Sequence, residues 1–115
     1  MTDLAARAWL IDMRRFAPSA RRILACGGDD EIAADEILFL ALCRAGEIVG
    51  GAANHVPRDV QSGLPQIDWR GLIGMRHRLI HGYSSLAGAT VVRLAGENIP
   101  QLIDALNQVL GAETE

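Results

Sequence analysis

The segment NIPQLIDALNQVL, residues 98–110, carries the clearest helical pattern in the chain. Its apolar side chains recur at steps of three and four residues, which places them on one face of an α-helix. Pro100 is compatible with the first turn of this helix, where a backbone N–H has no intrahelical acceptor. We therefore predict a helix from about Asn98 or Pro100 to Leu110, whose apolar face consists of Ile99, Leu102, Ile103, Leu106, Val109 and Leu110.

A similar pattern predicts a first helix over about residues 4–26. Pro18 lacks a backbone N–H, so we expect it to kink or split this helix near Ala17. The cluster Gly27-Gly28-Asp29-Asp30 predicts the end of the helix. The residues that share its apolar face are Trp9, Met13, Phe16, Ala20 and Ile23.

A second helix is predicted over residues 33–55, with Asp35 and Glu36 near the N-terminal end that favours negative charge. Its broad apolar face indicates a largely buried helix. Its small residues lower helix propensity but permit close approach of another helix, so we interpret them as a packing surface. A phosphate-binding glycine loop is disfavoured because no GxGxxG or GKT/GKS order is present. The apolar face contains Ile37, Phe39 or Leu40, Ala41, Ala45, Ile48 and Val49, and the small residues are Gly46, Gly50, Gly51, Ala52 and Ala53.

A third helix is predicted from about Asp68 to Ile80. Asp68 is a suitable N-cap, and Gly82 can end the helix in the left-handed conformation. Residues 56–65 hold two prolines and a glycine and predict the main loop, while residues 84–89 predict a flexible connection. The short run Thr90-Val91-Val92 fits either a strand or the start of a helix.

Together these segments predict an all-α fold, a four- to five-helix up-and-down bundle in one domain, residues 1–115. Half of the residues are hydrophobic, which excludes a disordered chain.

No apolar stretch approaches the roughly 20 residues that span a bilayer, and the first residues do not resemble a signal peptide, so we expect a cytoplasmic protein with no membrane partner. Cys26 and Cys43 lack CxxC spacing, which favours idle thiols over a zinc or redox site.

The charge is unevenly distributed along the chain. A formal net charge of -3 argues against a protein that coats nucleic acid, because such binding depends on many phosphate contacts. The stretch from Arg58 to Tyr83, however, carries four arginines and two acidic residues, and is therefore positive. This stretch therefore predicts a local anion-binding site on a protein that is acidic as a whole.

The segment GMRHRLIHGY, residues 74–83, has the highest density of functional groups. Each of its polar residues taken alone fits an ordinary surface position. His77 and His81 stand four residues apart, as zinc ligands do, but Arg78 follows His77 where HExxH has glutamate, and a metal cation beside two guanidinium groups is electrostatically unfavourable. We therefore predict neither a metal nor a cofactor.

Metal-free cleavage of RNA needs the residue types that this segment provides. The 2′-hydroxyl must lose a proton as it attacks the adjacent phosphate, and the leaving 5′-oxygen must gain one. Histidine exchanges protons near neutral pH, and arginine holds phosphate oxygens with a permanent charge. Arg76 and His81 lie about 140° apart on a regular helix, so they converge only if the helix ends between them or if a second copy of the protein completes the site.

The pattern R-x4-H-x-Y, filled by Arg76, His81 and Tyr83 within IDWRGLIGMR and the following residues, closely resembles toxins of HepT/MntA-type toxin–antitoxin systems in the HEPN superfamily (the DUF86 family). RAGEIVGGAA, residues 44–53, is similar to the family's helix with a GEA run. The resemblance covers most of the chain, including the amphipathic last helix.

This resemblance implies a HEPN-like domain that acts as a metal-independent endoribonuclease and homodimer, with catalytic Arg76 and His81 of both subunits in a shared cleft. It also implies a cognate minimal nucleotidyltransferase, the MntA-like antitoxin, which transfers AMP to Tyr83 and so places negative charge beside the arginine. Arg70 and Arg78 are candidate contacts to RNA phosphates.

Three departures from the family pattern bear on activity. His77 stands where asparagine is most frequent and is a candidate auxiliary group, Gly51 replaces the acid of the GEA run, and Ser84-Ser85-Leu86-Ala87-Gly88 lacks the usual aromatic and acidic residues. An alternative function is therefore a catalytically inactive helical module that docks a nucleotidyltransferase or a nucleotide.

Overall fold

The computed structural model describes residues 3–81 and 88–111, which form six α-helices and contain no strand. Four of these helices are long and two are short. The predicted all-α bundle is confirmed. The helices are α1 (Leu4–Leu24), α2 (Asp29–Ala34), α3 (Glu36–His55), α4 (Arg58–Ser62), α5 (Trp69–His81) and α6 (Gly88–Leu110).

The long helices pack around one hydrophobic core. α1 packs mainly against α3 and α6, and α3 also packs against α5, so α3 lies between α1 and α5. The side chains of Leu10, Met13, Leu42, Leu72 and Leu106 are among those removed from solvent. Burial of these large apolar groups is the main stabilising term of such a bundle. α5 is therefore held in place chiefly by its contact with α3.

Three aspartates begin helices of the bundle. Asp3 accepts a hydrogen bond from the Ala6 backbone N–H at 2.9 Å, and Asp35 accepts one from Leu38 at 3.1 Å. The carboxylate of Asp68 accepts from the Gly71 backbone N–H at 3.0 Å, which confirms its predicted role as a cap. Each carboxylate satisfies a donor that the first turn leaves without an intrahelical partner.

The predicted helix boundaries were wrong at several points. Pro18 was predicted to kink or split the first helix, and the split is wrong: α1 runs through Pro18 as one helix, because Ala17 and Ala20 on either side are buried in the core. α2 begins at Asp29, inside the cluster predicted only to end the first helix, and stops at Ala34, so the helix predicted from residue 33 begins at Glu36 instead; α4 lies in the predicted loop. α6 begins at Gly88, ten residues before Asn98, so Pro100 lies inside the helix and the run from Thr90 is helical.

The first two turns of α3 are more exposed than the sequence pattern indicated. Ile37 is 75% exposed, which contradicts its predicted place on a largely buried face. Of the two alternatives predicted for the next position of that face, Leu40 is 57% exposed and Phe39 is half-buried against the core. The buried part of α3 begins at Leu42 and continues through its small residues to Ala53. The interpretation of these small residues as a packing surface is confirmed.

No helix within the described ranges has the length and apolar character that crossing a membrane requires.

Candidate active site

α5 carries the candidate site residues that the structure describes, and its two faces differ sharply. Trp69, Leu72, Met75 and Leu79 are buried and fix the helix on the core. Arg76 lies at the border of this face and is half-buried, whereas His77 and His81 are exposed. Packing of the apolar face thus sets the direction in which each polar side chain leaves the helix.

The contact between α5 and α3 depends on glycine at two positions of α3. A Cβ at Gly46 would overlap the Cδ1 atom of Leu79, and a Cβ at Gly50 would overlap the Cβ of Arg76. The same added atom at Gly50 would also lie 3.2 Å from the carbonyl oxygen of Leu72. The two glycines let the helix backbones approach closely, so the base of the Arg76 side chain rests directly on α3.

The guanidinium of Arg76 extends along α3 past Gly51. Its Nε atom lies 3.5 Å from the position that a Cβ of residue 51 would take. An acidic side chain at this position, as in the family's GEA run, would therefore lie beside the guanidinium. Within residues 3–81 and 88–111, no carboxylate forms an ion pair with Arg76. Gly51 thus leaves the positive charge of Arg76 available to an anion.

His77 and His81 form a pair on the exposed face of α5. Their ring centroids are 4.6 Å apart and their planes are inclined by 58°. The four-residue spacing places both rings on the same face of the helix. Each imidazole therefore limits the orientations available to the other.

α5 remains helical through His81, which contradicts the possibility that it ends between Arg76 and His81. The two residues are therefore separated by about 140° around the helix axis. Arg76 leaves α5 towards α3, while His81 leaves it towards solvent beside His77. One protomer thus presents these two groups on different sides of the same helix.

Tyr83 and Gly82 lie outside the described residues, and so does most of the predicted connection at residues 84–89. The assignment of Tyr83 as a modification site stays a prediction.

Two grooves flank α5 and contain the other candidate arginines. The first, which we call the α3–α5 groove, has a volume of about 680 Å³ and contains Arg58 and Arg70. The second, the α5–α6 groove, has a volume of about 460 Å³ and contains Arg70, Arg78 and Arg93. Arg70 is exposed on the first turn of α5 and lines both.

His55 lies near the candidate site, although no signal in the sequence points to it. It ends α3, its ring stacks on Trp9 with centroids 4.5 Å apart, and its Nδ1 atom lies 2.7 Å from the carbonyl oxygen of Gly51. His55 is 21 residues before Arg76 in the sequence, and no spacing relates the two. Only the packing of α3 on α5 reveals that His55 and Arg76 both lie next to Gly51.

The described part of the chain contains no group of three or more histidine, cysteine, aspartate or glutamate side chains placed to hold a metal ion. His77 and His81 are a pair without a third such ligand there.

Comparison with known proteins relates this arrangement to one family. The family described as ribonuclease HepT-like matches residues 13–109, which include α3, α5 and the histidine pair. No solved structure matches the chain at a significant level.

Several relatives are similar over much of their length. The probable ribonuclease HepT of Thermococcus cleftensis is 33% identical over 73 residues, which are 64% of this chain and 66% of that protein. A protein of Methanocaldococcus jannaschii named as a candidate RNase, MJ1380, is 26% identical over 102 residues, or 89% of this chain and 94% of that one. Another from the same organism, MJ0125, is 28% identical over 81 residues, or 70% of each chain.

Proposed function

Because the chain belongs to the ribonuclease HepT-like family, we propose that it is a metal-independent endoribonuclease with Arg76 and His81 as its catalytic residues. The observation that carries the proposal is the position of Arg76. Its side chain is supported by Gly50 and passes Gly51, with no carboxylate paired to it among the described residues. A guanidinium held in this way binds a phosphate and stabilises the charge that grows on its oxygens.

In the proposed reaction, the O2′ atom of the ribose forms a bond to the adjacent phosphorus while the bond from phosphorus to O5′ breaks. A neutral His81 imidazole accepts the proton of the 2′-hydroxyl. The imidazolium formed in this way donates the proton to the leaving 5′-oxygen, so the products are a 2′,3′-cyclic phosphate and a 5′-hydroxyl. These transfers suit histidine because both of its protonation states are populated near neutral pH.

We further propose that the active form is a homodimer. The separation of Arg76 and His81 around α5 supports this proposal, since a second subunit can supply the group that one subunit directs elsewhere. Ile37 and Leu40 provide exposed apolar surface on α3 for association.

The protein is proposed to be the toxin of a type VII-like pair with an MntA-like nucleotidyltransferase antitoxin in the cytoplasm. Transfer of AMP to Tyr83 would add a phosphate and a bulky nucleoside two residues after His81. The added negative charge would compete with RNA phosphate for the arginines of α5. Intact mass spectrometry of the protein produced with and without a co-expressed MntA-like nucleotidyltransferase tests this step, and an unchanged mass in both preparations would contradict it.

The catalytic proposal is tested by RNA cleavage in EDTA. Wild-type protein should cleave single-stranded RNA under these conditions, and Arg76→Ala should cleave it about 100- to 1000-fold more slowly because a donor to the phosphate is lost. His81→Ala should be similarly impaired. Equal cleavage by the three proteins would contradict the assignment of Arg76 and His81 as catalytic residues. RNA binding without cleavage by the wild type would favour the inactive binding module instead.

A further inference from the structure

The α3–α5 groove lies beside the proposed catalytic arginine and has a chemical character of its own. It is formed by the end of α3, by α4 and by the first turns of α5. Its wall combines two arginines with amide, imidazole and apolar side chains. The lining residues that bear on its specificity are Asn54, His55, Arg58, Gln61, Arg70 and Ile73.

The charge of this groove is unbalanced. Arg58 and Arg70 are both exposed, and no aspartate or glutamate occurs among the described residues that line the groove. Neither arginine forms an ion pair within residues 3–81 and 88–111. Two permanent positive charges on a chain of net charge -3 therefore converge on one concave surface that attracts an anion.

Neighbouring contacts fix two polar groups of the groove, Gln61 and His55. The Gln61 side-chain amide donates hydrogen bonds to the carbonyl oxygens of Val56 and Ala53 at 3.0 and 3.4 Å, which ties α4 to the end of α3. Stacking on Trp9 and the contact with Gly51 orient the His55 ring, leaving its Nε2 atom for another partner. A site with preoriented polar groups loses less conformational entropy when a ligand binds.

Gly51 connects the groove to Arg76. Its carbonyl oxygen contacts Nδ1 of His55, and a Cβ at this position would lie 3.5 Å from Nε of Arg76 on α5. The catalytic guanidinium and the groove are thus separated by a residue without a side chain. His55 in the groove and Gly51 beside Arg76 are about one turn of α3 apart.

We propose that the α3–α5 groove binds a phosphodiester of single-stranded RNA that flanks the cleaved bond, with Arg58 and Arg70 holding its phosphate and His55 directed towards the same strand. This inference rests on the proposed ribonuclease function. The α5–α6 groove is a poorer phosphate site because Asp68 and Glu97 line it together with its arginines. Because only the α5–α6 groove has acidic residues among its described lining, the RNA strand is assigned to the α3–α5 groove.

The test is a measurement of RNA affinity that does not depend on turnover. Single-stranded RNA labelled with a fluorophore is titrated with His81→Ala protein, and the dissociation constant is followed by anisotropy at several salt concentrations. Arg58→Gln and Arg70→Gln are each introduced into this background. The matched controls Arg21→Gln and Arg93→Gln remove the same charge from exposed positions on α1 and α6.

We expect Arg58→Gln and Arg70→Gln each to weaken RNA binding by about tenfold at low salt and to lower the slope of log affinity against log salt by roughly 0.7. The two controls should change the slope by much less. Thermal unfolding monitored by circular dichroism checks that the variants fold. Unchanged affinity and slope in folded Arg58→Gln and Arg70→Gln proteins would overturn the proposal and would leave an acidic protein surface as the occupant of the groove.

The outcomes separate this inference from the proposed function when wild-type cleavage is measured in parallel. Cleavage by the wild type with no dependence of binding on Arg58 and Arg70 would overturn the groove proposal alone. No cleavage, with binding that depends on both arginines, would overturn the ribonuclease and support the groove as an RNA site. Absence of RNA binding by every protein would overturn both.

Discussion

Gly50 of α3 and Arg76 of α5 are packed so closely that a Cβ at position 50 would overlap the Cβ of Arg76. The contact couples the stability of the bundle to the position of its proposed catalytic arginine. It joins residues that are 26 positions apart in the sequence. A change on α3 therefore affects a group on α5 without touching any ligand.

Two adjacent glycines give this coupling a sharp test. Gly50→Ala should lower the free energy of unfolding by about 1–3 kcal/mol, because the added methyl group displaces Arg76 or separates the helices. Gly51→Ala should raise it by about 0.5–1 kcal/mol, because its Cβ meets Nε of Arg76 at an ordinary 3.5 Å and alanine favours the helix. Urea denaturation measures both values. Equal effects of the two substitutions on the free energy of unfolding would show that the close approach of α5 does not restrict the residue at position 50 to glycine.

The ring contact between His77 and His81 predicts a positioning role for His77. His77→Ala should lower kcat by roughly tenfold and leave KM nearly unchanged, because the His81 ring loses one of the groups that restrict it. His77→Phe keeps an aromatic ring at this place and should restore most of kcat. The control is thermal stability, which should differ little among these variants because His77 is exposed. Failure of phenylalanine to restore kcat would assign His77 a proton-transfer or phosphate-binding role instead.

The two thiols should differ in reactivity. Burial, reinforced by the negative charge of Glu47, raises the pKa of Cys43 above its ordinary 9.0, whereas Cys26 is exposed at the end of α1. Iodoacetamide below pH 9.0 should therefore alkylate Cys26 first, because the thiolate is the reactive form. Peptide mass spectrometry follows each site in the same sample, so Cys26 is the internal control. Similar rates at both thiols would contradict the burial of Cys43.

The same shift predicts the direction of a pH effect on stability. The pKa of Cys43 is higher in the folded than in the unfolded state, so the folded state holds this proton more tightly. The resulting contribution to stability is complete below pH 9.0 and is lost as the pH rises through the folded-state pKa. The free energy of unfolding of the wild type and of Cys43→Ala, compared across this pH range, isolates this contribution. Parallel pH profiles of the two proteins would contradict the prediction.

Local sequence signals predicted the helices best where they were strongest. Asp68 was recognised as a cap because side-chain capping depends only on neighbouring residues. The first half of α6 was missed because Gly88, Gly96 and two adjacent valines are poor helix formers. Val91, Val92 and Ala95 are buried there, so tertiary packing outweighs their low propensity.

The candidate site follows from residue types in the sequence, whereas its arrangement does not. The segment that contains Arg76 and His81 was recognised from the chemistry of its side chains and from its resemblance to a family. The contacts of Arg76 with Gly50 and Gly51 require knowledge of how α3 crosses α5, which no local pattern provides. The same limit explains why His55 was missed and why the continuation of α5 through His81 was not foreseen.

The separation of Arg76 and His81 around α5 makes a final prediction about two inactive variants. If one site takes Arg76 from one subunit and His81 from its partner, a dimer of one Arg76→Ala and one His81→Ala subunit retains one complete site. An equimolar mixture should then recover about a quarter of wild-type cleavage, since half of the dimers are mixed and each has one of two sites. Two different affinity tags, purified in sequence, confirm that the subunits have exchanged. Isolated mixed dimers that are as inactive as either parent would contradict a site shared between subunits. They would require Arg76 and His81 to converge within one chain, although α5 continues through His81 and directs the two side chains apart.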